Sequence, residues 1–521
     1  ILKSKIQDSK IQLESNSPKL KDSNSKLESK NPNKIQSSKA SKDLVNLESQ
    51  KVVESNLKLD SKTRQKSNKE SESKLPKIQR VKNTYDSITI QNSTNSQKSK
   101  ESSKVKSLIR TIPISIALAS ALSSNVAAAQ WSIAGIYTGR QNVQQDSSGN
   151  VTVNGNLDLN DGSVIFQVAE NQTAGNFLIN SGVLLKSLRT GMSVPDLWKL
   201  NAGASAGTIE NRGTILINSI PSASRYLNMG NDSTLKSFIN SGTMINETGG
   251  SSSYYIVAVW SRAVMENFTN TGSIIAKDGA IYLNGGTIQN FNLTGSKSLL
   301  KAETANVDVI QLNTNNGSNA RIDNFEVSNG ATIEGNISLR NASSITNGIT
   351  IINSGSLQGH ISLTGNARIQ GGIVLDNAST ITGNISLTNS NNNNTMSIDN
   401  ISLTNSTIGG TISLSETASD YNKSTNTLTS LTLSDSHLGG ISLTGNSLIT
   451  NGIMANSSTI DNITLAGNSN SGAKPTIVNG VSLDNSEVTG DISLDNSSVI
   501  MGGFTLGNNS TIANLNILKR G

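Results

Sequence analysis

The sequence predicts an all-β chain: a right-handed parallel β-helix, or solenoid, of about 12-residue units standing after a disordered N-terminal head. Three observations carry that expectation. Residues 335–387 repeat with a period of 12. Aromatic residues are 3% of the chain and charged residues 15%, whereas Ser, Asn, Thr, Gly and Ile dominate. No stretch keeps a helical period, and short apolar alternations are split by turn residues. An ordinary compact core draws on more Phe, Tyr and Trp, but a narrow core of stacked Ile, Leu and Val does not need them.

The repeat copies read GNISLRNASSIT, NGITIINSGSLQ, GHISLTGNARIQ and GGIVLDNASTIT, followed by GNISL. The first apolar position holds Ile337, Ile349, Ile361, Ile373 and Ile385. Two residues later come Leu339, Ile351, Leu363, Leu375 and Leu387, and the third position holds Ile345, Leu357, Ile369 and Ile381. Side chains alternate along a strand, so the first two point the same way and the residue between them, usually Ser, points outward. The Asn, Ser, Gly and Thr that follow favour turns. The third apolar residue then re-enters the core. One unit cannot bury its own apolar side, so copies must stack.

Around this firm stretch the pattern loosens. The triplet returns at Ile401, Ile412, Ile441, Val481, Ile492 and Phe504, with Asn391–Asn394 and Glu416–Ser430 expected as loops leaving the solenoid. Upstream, GTIENRGTILINS, FINSGTMINE and FTNTGSIIAKDG share an apolar-x-Asn-x-Gly-x-Ile form. VTVNGNLDLNDGSVIFQV reads as three strands with hairpin turns at Asn154-Gly155 and Asp161-Gly162. Residues 130–334 are thus expected to be an irregular β-helical part, and 335–521 a regular one that stops in mid-repeat at NILKRG. Two units per coil, rising about 4.8 Å, would give about 16 coils over about 75 Å.

The first 129 residues are of another kind. Residues 1–103 alternate Lys, Ser, Asn and Glu with isolated Leu or Ile, too few apolar groups to offset the chain entropy of folding. Residues 1–110 hold 25 Lys and Arg against 12 Asp and Glu, a balance of +13, while the remainder holds 18 against 25, a balance of −7. The basic character belongs to the head, so no nucleic-acid partner is expected for residues 130–521. Residues 104–129 read as a secretory signal: Lys104, Lys106 and Arg110 form a positive start and Ile112–Leu122 an apolar stretch. Ala127-Ala128-Ala129 then forms the A-x-A cleavage site, which puts the mature start at Gln130.

A signal segment followed by Gly/Asn/Ser-rich β-helical repeats resembles the passenger domains of type V autotransporters. The GNISL-type repeats resemble the large ones that include vacuolating-cytotoxin-like passengers, over about residues 104–521. The resemblance implies passage by the Sec machinery through the periplasm and assembly with the outer-membrane assembly machinery. It implies display on the outer membrane or cell surface, or secretion from it, and an adhesin-like or structural virulence role toward a host-cell or bacterial surface receptor. A secreted vacuolating-type toxin and a two-partner secreted haemagglutinin-like protein are the alternatives. The C-terminal membrane β-barrel of autotransporters is not in the sequence, which is therefore expected to be truncated. The Asn-Pro motif of the two-partner class does not follow the signal.

Searching for chemistry returns little, and the expectation is a protein that is not an enzyme and has no cofactor, metal or small-molecule substrate. Gly203-Ala204-Ser205-Ala206-Gly207 matches G-x-S-x-G, but no strand-to-helix elbow is predicted, and Ser205 is expected in a loop. His360 and His437 are the two imidazoles, both expected at solvent-facing corners. With no cysteine, a His-based metal site or triad is not expected. Asp158 and Asp161 fail the calcium-loop spacing and are read as a turn. Asp376, Asp484 and Asp495 follow the triplet and are expected to stack as surface ladders.

Overall fold

The computed structural model describes residues 130–518, apart from 160–163, 188–195, 218–224, 248–254, 316, 392, 418–423, 468–472 and 496. The head, the signal segment with Ala127 and Ala129, and the Asp161-Gly162 turn lie outside the described residues.

The described chain is a parallel β-solenoid of about 12 turns. One turn illustrates the rest. Strands Asn336–Leu339, Ser344–Ile345, Ile349–Ile352 and Ser356–Gln358 follow one another around the core, and Ile361–Thr364 then lies in parallel register on Asn336–Leu339. Successive 12-residue units therefore fall on different faces, and like residues meet 24 apart, as Asn336 meets His360. Ile337, Ile361, Ile385, Ile412, Ile441, Ile463 and Ile492 form one unbroken in-register column. Leu357, Ile381, Ile408, Leu438, Ile460 and Val488 form another. All the fourteen predicted repeat-core residues are at most 1% exposed.

Turn length varies with insertions: 22 residues separate Ser436 from Ser458, and 30 separate Asn240 from Asn270. This is why the stack has fewer turns than the uniform 24-residue coil predicts. The Glu416–Ser430 stretch corrects the sequence reading in the other direction. Thr425–Ser434 is a stacked strand paired with Thr395–Thr404, its Asn426 and Leu428 point inward, and residues 418–423 lie outside the described residues.

Upstream, the apolar-x-Asn-x-Gly-x-Ile motif acquires a physical reason. Asn211, Asn240 and Asn270 are fully buried in register. Asn211 Nδ2 donates to Asn240 Oδ1 at 2.8 Å, and Asn240 Nδ2 to Asn270 Oδ1 at 2.7 Å. Each amide also reaches the carbonyl of the glycine two residues on, Gly213, Gly242 or Gly272. A Cβ on Gly242 would run into the carbonyl oxygen of Gly213, and one on Gly272 into that of Gly242. The motif thus encodes a buried amide ladder at a corner where coils approach too closely for a side chain.

The same half holds the aromatic core. Phe238, Phe268, Phe291 and Phe325 lie in one column with ring centroids 5.6, 4.7 and 4.7 Å apart. Parallel register places the rings one strand spacing apart and forces them to stack face to face.

The two ends differ. At the start, Ser132–Ile133, Ile136–Thr138 and Val143–Gln145 run antiparallel to the first-coil strands Phe166–Val168, Leu157–Leu159 and Val151–Val153. This fold-back covers the open edge, and Trp131, buried, sets its ring edge-on to Phe177 at 5.5 Å. The expected Asn154-Gly155 hairpin is not one. Val151–Val153 and Leu157–Leu159 lie in different sheets, joined by a corner. Val151, Val153, Leu157 and Leu159 all need the interior, and a corner buries both pairs where a flat hairpin would not. At the other end, Leu506, Leu515, Ile517 and Leu518 are about half exposed or more.

Candidate functional site

Outward positions of the solenoid are columns of short polar side chains, and at one corner they line an open groove of about 460 Å³. Ser379, Ser406 and Ser436 in its lining belong to a serine ladder that runs on past the groove. Ser379, Ser406, Ser436, Ser458 and Ser486 are buried, and each hydroxyl donates to a carbonyl two or three residues earlier, at 2.6–2.8 Å. Each hydroxyl from Ser406 to Ser486 accepts the backbone N–H of the serine one coil before, at 3.1–3.3 Å. The residues just before the middle serines, Asn405, Asp435, Ser457 and Asn485, have φ of 46–50°. That left-handed turn suits small polar side chains, which bond their own backbone. Thr380, Thr407, His437 and Thr459, at strand starts, form the other wall.

His437 Nε2 lies 3.0 Å from Asp461 Oδ1, and Thr489 Oγ1 reaches the same oxygen at 3.4 Å. The wall therefore carries a histidine–carboxylate pair with hydroxyls around it. The pair is well exposed, 39% and 43% by side chain. Sequence reading placed His437 and His360 at equivalent corners; they are not equivalent. His360 stands in a different column, between Asn336 and Asn384. Its N–H donates to Asn336 Oδ1 at 3.0 Å, and its Nδ1 accepts the Asn384 N–H at 2.8 Å. Asn384 Oδ1 in turn accepts the Thr411 N–H at 2.9 Å. The imidazole does the work of an asparagine carbonyl, and that bond assigns its proton to Nε2.

A second cluster joins Trp260 and Tyr282 to the buried Tyr255. Trp260 Nε1 donates to Asn228 Oδ1 at 2.8 Å, and Asn228 Nδ2 to Asp196 Oδ2 at 2.7 Å. The Arg225 guanidinium lies 5.2 Å over the indole, and Tyr282 meets it edge-on at 5.9 Å while stacking on Tyr255 at 4.6 Å. Burial raises the Asp196 carboxyl above the usual carboxylate range, and the Asn228 hydrogen bond offsets part of this. Sequence reading missed this cluster. Its one available signal was the rarity of Trp and Tyr, which makes YYIVAVW stand out.

The remaining sequence candidates fall apart in space. Ser205 opens the strand Ser205–Asn211 rather than a loop, and its Oγ lies 3.3 Å from Thr234 Oγ1, one coil on. Asp158 is in a strand, not a turn, and pairs with Lys186 at 3.4 Å. The aspartates do not form ladders. Asp376 is flanked in register by Ile352 and Thr404, Asp484 by Asn456 and Gly507, and Asp495 by Ala466 and Leu518. Like charges directly opposite one another destabilise a sheet, and neutral residues separate them here. Gln130, the predicted mature start, is exposed at the beginning of the cap. Among the described residues, no group of three or more His, Asp and Glu could hold a metal ion. No family model matches the chain, and no curated protein or solved structure is significantly similar to it.

Proposed function

We propose that the chain is the exported passenger of a bacterial surface protein of the type V autotransporter kind, adhesin-like or structural and non-catalytic. The observation that supports this reading best is the stack itself. Every described strand from Phe166 onward pairs in parallel with its neighbours one coil away, apart from the cap contacts, so the long faces present fixed columns of Ser, Thr and Asn at regular spacing. Such faces suit many weak contacts along a length rather than one enclosed site. The signal-like residues 104–129 supply the export half of the reading.

Two measurements test it. Residues 104–129 fused to a reporter that is active only in the periplasm should export it, with processing after Ala129. The purified chain should bind host cells, matrix or other bacteria selectively and saturably. No selective binding on any of these surfaces would overturn the adhesin half, and a reporter retained in the cytoplasm would overturn the export half.

A further inference from the structure

Serine occupies two kinds of corner in this solenoid. In the ladder from Ser379 to Ser486 every hydroxyl is satisfied by its own coil, and from Ser406 onward by the coil before as well. Ser343 stands outside any ladder. Its counterparts one coil before and after are Ala320 and Ala367, which offer no hydroxyl. Ser343 is fully buried, and its Oγ has no hydrogen-bond partner. It lines an open groove of about 430 Å³, together with Asn319, Ser344, Asn366, Arg368 and Gln370.

The groove is rich in donors. Arg321 pairs with Asp323 at 2.7 Å and Arg340 with Asp308 at 2.6 Å, but Arg368 has no carboxylate partner among the described residues. One nitrogen of its guanidinium, Nη2, donates to Thr395 Oγ1 at 3.2 Å. Asp399, on the adjoining coil, turns Oδ2 to the Gly371 N–H at 2.8 Å instead. Asn366 Oδ1 accepts the Thr395 N–H at 2.8 Å, which fixes the amide and leaves its NH₂ as a donor. The guanidinium fork, this NH₂ and the hydroxyls of Ser343 and Ser344 match an oxyanion. A buried hydroxyl without a partner is costly, and a bound oxygen removes that cost.

We propose that this groove takes the anionic group, a carboxylate or sulfate, of an acidic glycan. Arg368 holds the charge, Ser343 meets an oxygen at the floor, and Asn366, Gln370 and Asn319 bond the neighbouring sugar hydroxyls. The anion half stands on the groove alone; the glycan half rests on the surface-passenger reading.

The test uses the full chain with a sulfated oligosaccharide, a uronate oligosaccharide, a neutral dextran oligosaccharide and inorganic sulfate. The Lys-rich head also attracts polyanions, so the readout must be local: protection of Arg368 from phenylglyoxal, read by peptide mass, with Arg140 as the unprotected reference. Acidic oligosaccharides should protect Arg368 and leave Arg140 unchanged, and Arg368→Gln should weaken their binding at the saturable high-affinity step about tenfold. Equal modification of Arg368 with and without acidic oligosaccharide overturns the site. Equal protection by dextran overturns the anion assignment, and equal protection by inorganic sulfate at the same concentration overturns the glycan assignment. Selective cell binding with Arg368 unprotected would defeat this inference and spare the surface reading; protection without cell binding would do the reverse.

Discussion

Two halves of the solenoid follow one backbone path with different fillings. From Phe177 to Phe325 a single inward column carries Phe177, Ile209, Phe238, Phe268, Phe291 and Phe325. The same column continues as Ile349, Ile373, Ile401, Leu431, Ile453 and Val481. The first half adds a buried amide ladder, and the second puts buried serines at one of its corners. Backbone pairing is therefore the constant, and the filling of the core is what varies. Turn length does not set the filling: 23 residues separate the stacked Phe268 and Phe291, and 30 separate Ile401 from Leu431.

The largest effect expected from breaking this contrast is in the ring column. Phe268 stacks on Phe238 and Phe291 at once. Phe268→Ala should cost about 4 kcal/mol, against about 1 kcal/mol for Ile373→Val, which trims one methyl group in the aliphatic half. Repeat stacks open locally, so the measure is hydrogen exchange of the neighbouring strands rather than a single melting point. Equal loss of protection at the two sites would mean that the rings are simple filler.

The amide ladder comes next. Asn240→Ala removes the acceptor of Asn211 Nδ2 and the donor to Asn270 Oδ1, leaving both groups buried and partly unsatisfied. About 2 kcal/mol of local stability should be lost. Ser436→Ala, in the serine ladder, should cost less, about 1 kcal/mol, because it strands one backbone N–H, that of Ser406. Exchange of the Ser406 amide reports this directly, and an unchanged rate would refute the ladder's role.

Much of this was legible in the sequence because a solenoid writes its register as a period. Ile337, Leu339 and Ile345 with their copies announce the core, since one strand face must be apolar in every unit. The corner chemistry was half legible. The Asn and Gly of the upstream motif could be seen to recur, but whether Asn211 faces water or its own copies depends on the stacking of coils 29 and 30 residues long. The irregular turn lengths also hid the Phe column, whose members share no constant spacing. The grooves were not legible at all, because they join residues from three or more coils at a corner. The Asn154-Gly155 misreading has the same origin: a short polar turn between two alternating strands encodes a hairpin or a corner equally well, and the choice is made by which partner strand lies one coil away.

The smallest predicted effects concern the two histidines, and they separate column position from residue type. His360 is an acceptor inside an asparagine column. His360→Ala should cost about 1 kcal/mol by leaving the Asn384 N–H without a partner, whereas His360→Asn should cost almost nothing, because the column already uses asparagine above and below. His437 makes an exposed pair with Asp461, and exposed pairs of this kind contribute about 0–1 kcal/mol. His437→Ala should therefore lie at or below the cost of His360→Ala, and, unlike it, should leave the backbone amides of the next coil protected. The deciding comparison is exchange at the Asn384 and Thr459 amides. If His360→Asn exposes Asn384 as much as His360→Ala does, the imidazole is not standing in for an asparagine carbonyl, and the column would have to be held by strand pairing alone.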